Sequence, residues 1–362
     1  LSGSPGVCMI PSQKFIGESP NYEYLNAVIR ARGTRLLGRE VFSRLASGSL
    51  EDMELFLLES RYGPRYREQL ATGGGSLLER IENALAWGAA DLLREAASLA
   101  RGESFLFFSV ILSLGDLHNG RILLRASPGG IRPKNSPAWH RYSLADLSFY
   151  DDLWKKCSTP ADGAVRCHEE NHDFARILGE AYRMLHETGD LFRAERTLYS
   201  GWFGWWRERL RGRNNENGRR IEEYLGRLTD LWNFSIWLRP REEGEAGERA
   251  FLPGGWGFSQ EALESLDKPE KLFAGSGWSF VPGKHGERTR SDLFRSFQRH
   301  FYEWQRSLYR QNLLGTDVSL GYAAQVVQEW KNLSLLAVGL SLKMPEAELD
   351  RHLFLPEEGY HE

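Results

Sequence analysis

The sequence predicts an all-α protein, and three observations carry this prediction. Apolar residues recur at helical spacing over long stretches, strand-like alternation is nearly absent, and clusters of glycine and proline separate the stretches. The length of 362 residues exceeds one small domain and fits two or three units of about 100 to 200 residues each. We therefore expect several helical lobes instead of one undivided core.

The apolar periodicity predicts helices in eight stretches, taken in chain order. They cover about 22–37, 77–89, 173–188, 194–211, 220–239, 291–311, 320–343 and 346–353. Possible capping boxes predict further short helices after Ser49 with Asp52, Ser143 with Asp146, and Asp267 with Glu270. Three glycine positions, Gly38, Gly129–Gly130 and Gly254–Gly255, predict helix ends.

Composition excludes several classes of protein. The 46 basic and 49 acidic residues leave a net charge of −3, so any attraction for nucleic acid or anionic lipid must come from a local patch. No stretch is long and apolar enough to span a membrane, and residues 1–20 resemble a tail instead of a signal peptide. The three cysteines suit a reducing cytosol, whereas 12 tryptophans and 19 phenylalanines indicate bulky aromatic packing.

A short motif recurs along the chain, with an acidic residue three positions before an asparagine. Its four copies are Glu23 with Asn26, Asp116 with Asn119, Asp230 with Asn233, and Glu329 with Asn332. The asparagines are 93, 114 and 99 residues apart, and an arginine follows the first three by six positions, as Arg32, Arg125 and Arg239. This spacing predicts a tail over 1–20 and lobes over 21–130, 131–255 and 256–362, with terminal helices free to pack across lobes.

Residues three apart lie on the same face of a helix, so each acid and its asparagine can bind the same neighbouring segment. We interpret the pairs as structural pins between elements, because a buried polar group must be satisfied and so enforces one register. A catalytic carboxylate in every copy is the weaker interpretation. The helices around Asn119, Asn233 and Asn332 are expected to be equivalent and related by approximate threefold symmetry.

These segments resemble a known family. They are similar to the central-stalk component of V-type ATPases that is named C in prokaryotes and d in eukaryotes. The similarity lies in the stretches 22–37, 49–58 and 61–63, the acid-x-x-asparagine helices, the Pro-Gly-Gly stops, and the C-terminal stretch from Gly321 to Leu353. The resemblance covers most of the chain. Each motif alone is degenerate, and their order along the chain identifies the family.

The resemblance implies a funnel-shaped protein of three similar helical lobes, without catalytic residues or a cofactor. Such a protein lies in the cytoplasm, attached to the membrane only through its complex. There it is the socket between the membrane rotor-ring subunits and the central-shaft subunits, and it transmits torque while protons or sodium ions cross the membrane. A helical adaptor of the same fold outside the ATPase is an alternative.

A second alternative is a zinc-dependent hydrolase. His168-Glu169-Glu170-Asn171-His172 matches H-E-x-x-H, in which two histidines one helical turn apart bind zinc and the glutamate activates water. The match is expected at the start of a helix, where the first histidine would fray, and no third ligand follows at a recognisable spacing. A solvated helix N-terminus is therefore the favoured interpretation.

A basic stretch is the remaining candidate for binding. Arginine occupies every second position from 207 to 213, as Arg207, Arg209, Arg211 and Arg213, and two further arginines follow at 219 and 220. Such clusters are usually solvated surface, and docking to an acidic protein or to lipid headgroups is the next interpretation. Nucleic acid is not expected as a partner, because no aromatic stacking platform or known binding module accompanies the arginines.

Overall fold

The computed structural model describes residues 18–127, 139–239, 251–284, 286 and 289–355. These residues form α-helices joined by turns and loops and contain no β-strand, so the all-α prediction is confirmed. Among the described helices, none combines the length and the apolar character needed to cross a bilayer. The predicted glycine stop at Gly129–Gly130 and most of the predicted tail lie outside the described residues.

Sixteen helices occur in the described residues and are numbered in chain order. They are α1 Tyr22–Gly33, α2 Arg39–Ala46, α3 Leu50–Glu59, α4 Gly63–Thr72, α5 Leu77–Leu99, α6 Gly102–Ala126, α7 Leu147–Lys156, α8 Pro160–Glu169, α9 Asp173–Thr188, α10 Leu191–Leu210, α11 Glu216–Trp237, α12 Gln260–Ser265, α13 Pro269–Ala274, α14 Arg290–Leu308, α15 Asp317–Ser341 and α16 Glu346–His352.

The predicted starts and ends of the helices are confirmed at some positions and wrong at others. The predicted capping box forms at Ser49, whose hydroxyl accepts the Asp52 N–H while the Asp52 carboxylate accepts the Ser49 N–H. The one predicted at Asp267 is wrong, because α13 begins two residues later after Lys268, which makes no side-chain cap. The glycine stop at Gly254–Gly255 is also wrong, because α11 already ends at Trp237.

The chain forms two compact units. Unit 1 contains the described residues of Leu1–Asn119, Pro133–Asp152 and Val318–Glu362, and unit 2 contains those of Gly120–Arg132 and Leu153–Asp317. Helices α6, α7 and α15 each contain residues of both units. The three lobes predicted from the motif spacing are a different division of the chain and stay a prediction.

Unit 1 has a core built from both ends of the chain. Apolar side chains of α2–α5 and of the turn before α4, among them Met53, Leu57 and Tyr62, pack with Leu333 and Leu349 of α15 and α16. All five of these side chains are fully buried, and burying one leucine stabilises a fold by about 1.5 to 3 kcal/mol. The C-terminal helices therefore complete a hydrophobic core that the N-terminal helices begin.

Unit 2 concentrates the aromatic residues that composition singled out. The ring of Phe297 on α14 is fully buried, and five other aromatic rings lie between 4.7 and 6.0 Å from its centroid. These are Phe234, Phe258, Phe273, Trp278 and Phe280. On α10, Trp202 and Trp206 are fully buried too. Tight edge-to-face packing of large rings gives such a core little freedom to deform.

Candidate functional site

The motif asparagines of three copies bind a downstream loop in the same way. On α6, Asn119 Nδ2 donates to the His140 carbonyl (3.1 Å), and its Oδ1 accepts the His140 N–H (2.8 Å). Asn233 forms this pair of bonds with Leu252 at 2.9 and 2.8 Å, and Asn332 forms it with Phe354 at 3.1 and 3.2 Å. The partners follow their asparagines by 21, 19 and 22 residues. Each asparagine side chain thus hydrogen-bonds to both the N–H and the carbonyl of one loop residue, as a neighbouring backbone segment would in regular secondary structure.

The acids of two of these copies bind the same loops further along. Both Asp116 carboxylate oxygens accept backbone N–H groups, from Leu144 at 2.9 Å and Ala145 at 2.8 Å. The Tyr150 hydroxyl adds a third donor at 2.5 Å. In unit 2, Asp230 accepts the Gly257 N–H at 2.7 Å and the Trp278 indole N–H at 2.8 Å. We call each such acid and asparagine, with their partners, a pin.

The last pin uses residues from the start of the chain. Glu329 on α15 accepts the Leu37 N–H at 2.7 Å and the Tyr62 hydroxyl at 2.6 Å, and it is paired with Arg61. Burial, with the Glu329 charge beside it, raises the pKa of Tyr62 well above its usual value, so the phenol stays protonated and donates. This pin therefore joins the segment after α1 to the C-terminal helix α15.

The first motif copy departs from the prediction. Asn26 is buried, but Glu23 is exposed and does not act as a buried pin. The loop that follows α1 is instead bound by Glu329, from the fourth copy. Residues three apart lie on only approximately the same face of a helix. In α1 the side chain of Asn26 is buried in the core, whereas that of Glu23 is exposed to solvent.

The arginines that follow three of the asparagines contact different partners. Arg32 forms an ion pair with Glu95 at 3.3 Å, and Arg125 pairs with Glu195 of α10. Glu195 is a buried acid that the sequence analysis missed, and it also accepts from Arg121 at 3.3 Å. The guanidinium of Arg239 lies 4.8 Å from the centroid of the Phe192 ring.

Two glycines after α11 are required by the pin of Asp230 and Asn233. Gly254 has a positive φ of 80°, a conformation that side chains other than glycine rarely adopt, and the Arg207 guanidinium occupies the space where a Cβ would lie. A Cβ on Gly255 would collide with the Asp230 carboxylate. The Pro-Gly-Gly stop therefore serves the close approach of Arg207 and Asp230 and does not cap a helix.

Burial raises the pKa of two pin acids. The pKa of Asp116 rises from 3.8 to about 6 because the side chain is fully desolvated, although its three donors oppose the shift. The pKa of Asp230 rises from 3.8 to about 6 for the same reason. Between pH 4 and 6 the folded protein thus holds protons that the unfolded chain has released.

This predicts a specific pH dependence. Because the folded pKa of Asp116 is the higher one, its contribution to stability is full below pH 4 and falls as the pH rises towards 6, by up to about 3 kcal/mol. Urea titrations of the wild type and Asp116→Asn across this range should show the difference in unfolding free energy declining with pH. A flat or rising difference would contradict the raised pKa.

Near the pin of Asp230 and Asn233, Arg227 is enclosed by three tryptophans. Its guanidinium lies 3.5 Å from the ring centroid of Trp256, 4.3 Å from that of Trp304 and 4.5 Å from that of Trp278. Its Nε donates to Glu223 at 2.8 Å, and only 8% of the residue is exposed. This cluster could not be predicted from the sequence, because only the fold brings the three tryptophans around one arginine.

Arg227→Met is expected to lower the free energy of unfolding by about 1 to 3 kcal/mol, through loss of the cation–π contacts and the Glu223 pair. The cost stays moderate because Glu223 keeps its second ion pair with Arg220 at 2.5 Å. Urea denaturation followed by tryptophan fluorescence measures the change. The exposed Arg196 of α10 offers a matched control, and Arg196→Met should change stability by less than about 0.5 kcal/mol.

The structure divides the H-E-x-x-H match between two helices. His168 and Glu169 end α8, whereas His172 precedes α9 and its Nδ1 accepts the Ala175 N–H at 3.1 Å as the helix cap. The zinc motif needs both histidines on one face of a continuous helix, and this break removes that geometry. Within the described residues, groups of three or more His, Cys, Asp or Glu side chains suited to a metal ion do not occur.

The basic stretch is largely used inside unit 2. Arg207 donates to the Pro253 carbonyl at 3.0 Å and the Gly254 carbonyl at 2.8 Å, and burial lowers its pKa. Arg209 binds Asp173 at 2.5 Å and stacks on Trp205. Both guanidinium groups are therefore engaged within unit 2, and docking of a partner by these two arginines stays a prediction that the contacts disfavour. For Arg211, which is exposed beside Glu208, and for Arg213, docking stays a prediction.

Comparisons with known proteins identify a family that matches most of the chain. The sequence model of the ATP synthase (C/AC39) subunit family matches residues 25–352. The chain is 26% identical over 341 residues to the C subunit of the V-type ATP synthase of Thermus thermophilus, and the alignment covers 93% of this chain and 99% of that protein.

Two further relatives match over shorter stretches. The C subunit of the V-type ATP synthase of Deinococcus radiodurans is 25% identical over 239 residues, which are 65% of this chain and 64% of that protein. The C subunit of the A-type ATP synthase of Pyrococcus horikoshii is 26% identical over 262 residues, which are 71% of this chain and 66% of that protein. Because the family match extends over most of the chain, the chain belongs to the ATP synthase (C/AC39) subunit family.

Proposed function

We propose that this protein is the non-catalytic central-stalk subunit of a rotary V-type or A-type ATPase, linking the rotating shaft to the membrane rotor ring. The observation that carries the proposal is the family match over residues 25–352, supported by the alignment to 99% of the Thermus thermophilus relative. ATP is handled by other subunits in this proposal, and the chain itself needs no catalytic group or cofactor.

The mechanism is mechanical, and stiffness is its physical requirement. Torque applied at one surface reaches another without loss only when the body between them deforms little. The pins support this role because each fixes a loop to a helix through several short hydrogen bonds. The close-packed aromatic core around Phe297 supports it as well, since dense packing gives protein interiors low compressibility.

The same proposal includes the arrangement in the complex. Three lobes would form the socket, with the rotor-ring subunits on one side and the shaft subunits on the other. The chain would then lie on the cytoplasmic side and be attached to the membrane through these partners.

Co-purification tests the proposal. The tagged protein, expressed in its native source, should bring down both rotor-ring and shaft subunits from mild-detergent extracts. Recovery of neither would reject the stalk assignment, and recovery of unrelated proteins alone would favour a helical adaptor outside the ATPase. A pull-down with the tag alone is the control.

A further inference from the structure

The loop between α14 and α15, residues 309–316, exposes two adjacent leucines. Leu313 is 50% exposed and Leu314 is 63% exposed. The loop is held by hydrogen bonds, since Asn312 Oδ1 accepts the Leu314 N–H at 3.1 Å and Asn217 Oδ1 accepts the Thr316 N–H at 2.8 Å. The two apolar side chains are therefore presented to solvent by an ordered backbone.

A basic turn lies against this loop. Arg220, near the start of α11, binds Asp317 at 2.8 Å and Gln311 at 3.2 Å, which joins the first turns of α11, directly after the 211–215 turn, to the 309–316 loop. Residues 211–220 and 309–317 together contain five arginines, Arg211, Arg213, Arg219, Arg220 and Arg310. Arg211 is paired with Glu208, and Arg220 is paired with Glu223 and Asp317. The other three arginines outnumber the remaining acid of these two stretches, Glu216, so the surroundings of the leucines carry an excess of basic side chains.

We propose that this end of unit 2 binds an anionic lipid bilayer, with Leu313 and Leu314 inserted at the headgroup level and the arginines on lipid phosphates. Proteins that bind at a membrane interface commonly present apolar side chains bordered by basic ones. The apolar side chains contribute by burial at the headgroup level, and the basic ones contribute by attraction to anionic lipids. The proposed function contributes only the nearness of a membrane, and the charge and the leucines carry the rest.

An acidic protein surface is the competing partner, and the local structure favours lipid. The leucines lie in a short turn between two helices, which offers a partner chain neither a strand edge nor a helical face. A bilayer interface needs no such complementary shape. It needs only accessible apolar side chains and positive charge, and both are present here.

Vesicle flotation tests this proposal with the full chain. Vesicles of phosphatidylcholine with about 30% phosphatidylglycerol in about 0.1 M salt should carry the protein, and pure phosphatidylcholine vesicles should not. Leu313→Ser with Leu314→Ser should weaken partitioning about tenfold or more, because the apolar contact is lost. Leu55→Ser with Leu342→Ser is the matched control, since these leucines are 61% and 69% exposed elsewhere, and it should bind like the wild type.

The charge requirement is tested separately. Arg211→Gln with Arg219→Gln, or about 1 M salt, should reduce binding to the anionic vesicles, because screening shortens the electrostatic range from about 10 to about 3 Å. No flotation of the wild type, or unchanged flotation of the leucine variant, overturns the proposal. A leucine variant that still floats but no longer co-purifies with ATPase subunits would make the loop a protein contact and also overturn it. A wild type that floats but never co-purifies would remove only the stalk assignment.

Discussion

Glu329→Leu is expected to lower the free energy of unfolding by about 3 to 5 kcal/mol. The substitution removes the acceptor of the Leu37 N–H and the Tyr62 hydroxyl and leaves the Arg61 charge without its carboxylate. Removing one partner of a buried ion pair costs more than the pair contributes, because the remaining charge and donors stay desolvated. Urea denaturation measures the loss.

The position of the damage can be measured as well. In Glu329→Leu the Leu37 amide should exchange with solvent faster than in the wild type, while the Leu252 amide in unit 2 should keep its protection. Glu329→Gln is the conservative control, since its carbonyl can still accept one of the two donors, and it should cost less than Glu329→Leu. Equal and small losses in both variants would mean that this pin does not join the two ends of the chain.

The helices could be predicted from the sequence where their apolar faces are long. Helix α9 occurs at Asp173–Thr188, as the periodicity predicts. Helix α8 is not among the stretches that the periodicity predicts. The local chemistry does indicate it, since Thr159 and Asp162 form a capping box and proline is favourable at the first helical position.

The pins show where sequence reasoning ends. The acid-x-x-asparagine spacing locates the side chains, but their partners depend on the fold: Leu37 is 292 residues from Glu329, and Trp278 is 48 from Asp230. Spacing also could not separate Glu23 from the other acids, because burial depends on the tertiary packing around each helix. Spacing also could not show that two of the four arginines between 207 and 213 form contacts inside unit 2.

Asn233→Leu is expected to lower the free energy of unfolding by about 2 to 4 kcal/mol, the second large effect. Leucine is close to asparagine in shape, so the change in packing is small and the loss is mainly polar. It leaves both the N–H and the carbonyl of Leu252 buried without the side chain that now binds them. Each buried, unsatisfied group costs about 1 to 3 kcal/mol.

Asn171→Leu gives the matched control, because Asn171 is exposed between α8 and α9 and its replacement should change stability by less than about 0.5 kcal/mol. Asn119→Leu and Asn332→Leu should each resemble Asn233→Leu, since all three asparagines form the same pair of backbone bonds. The effects of the three substitutions should add when combined, because each asparagine binds a different loop residue. A neutral result at Asn233 would mean that water satisfies Leu252 in the variant, and the asparagine would then contribute specificity of register instead of stability.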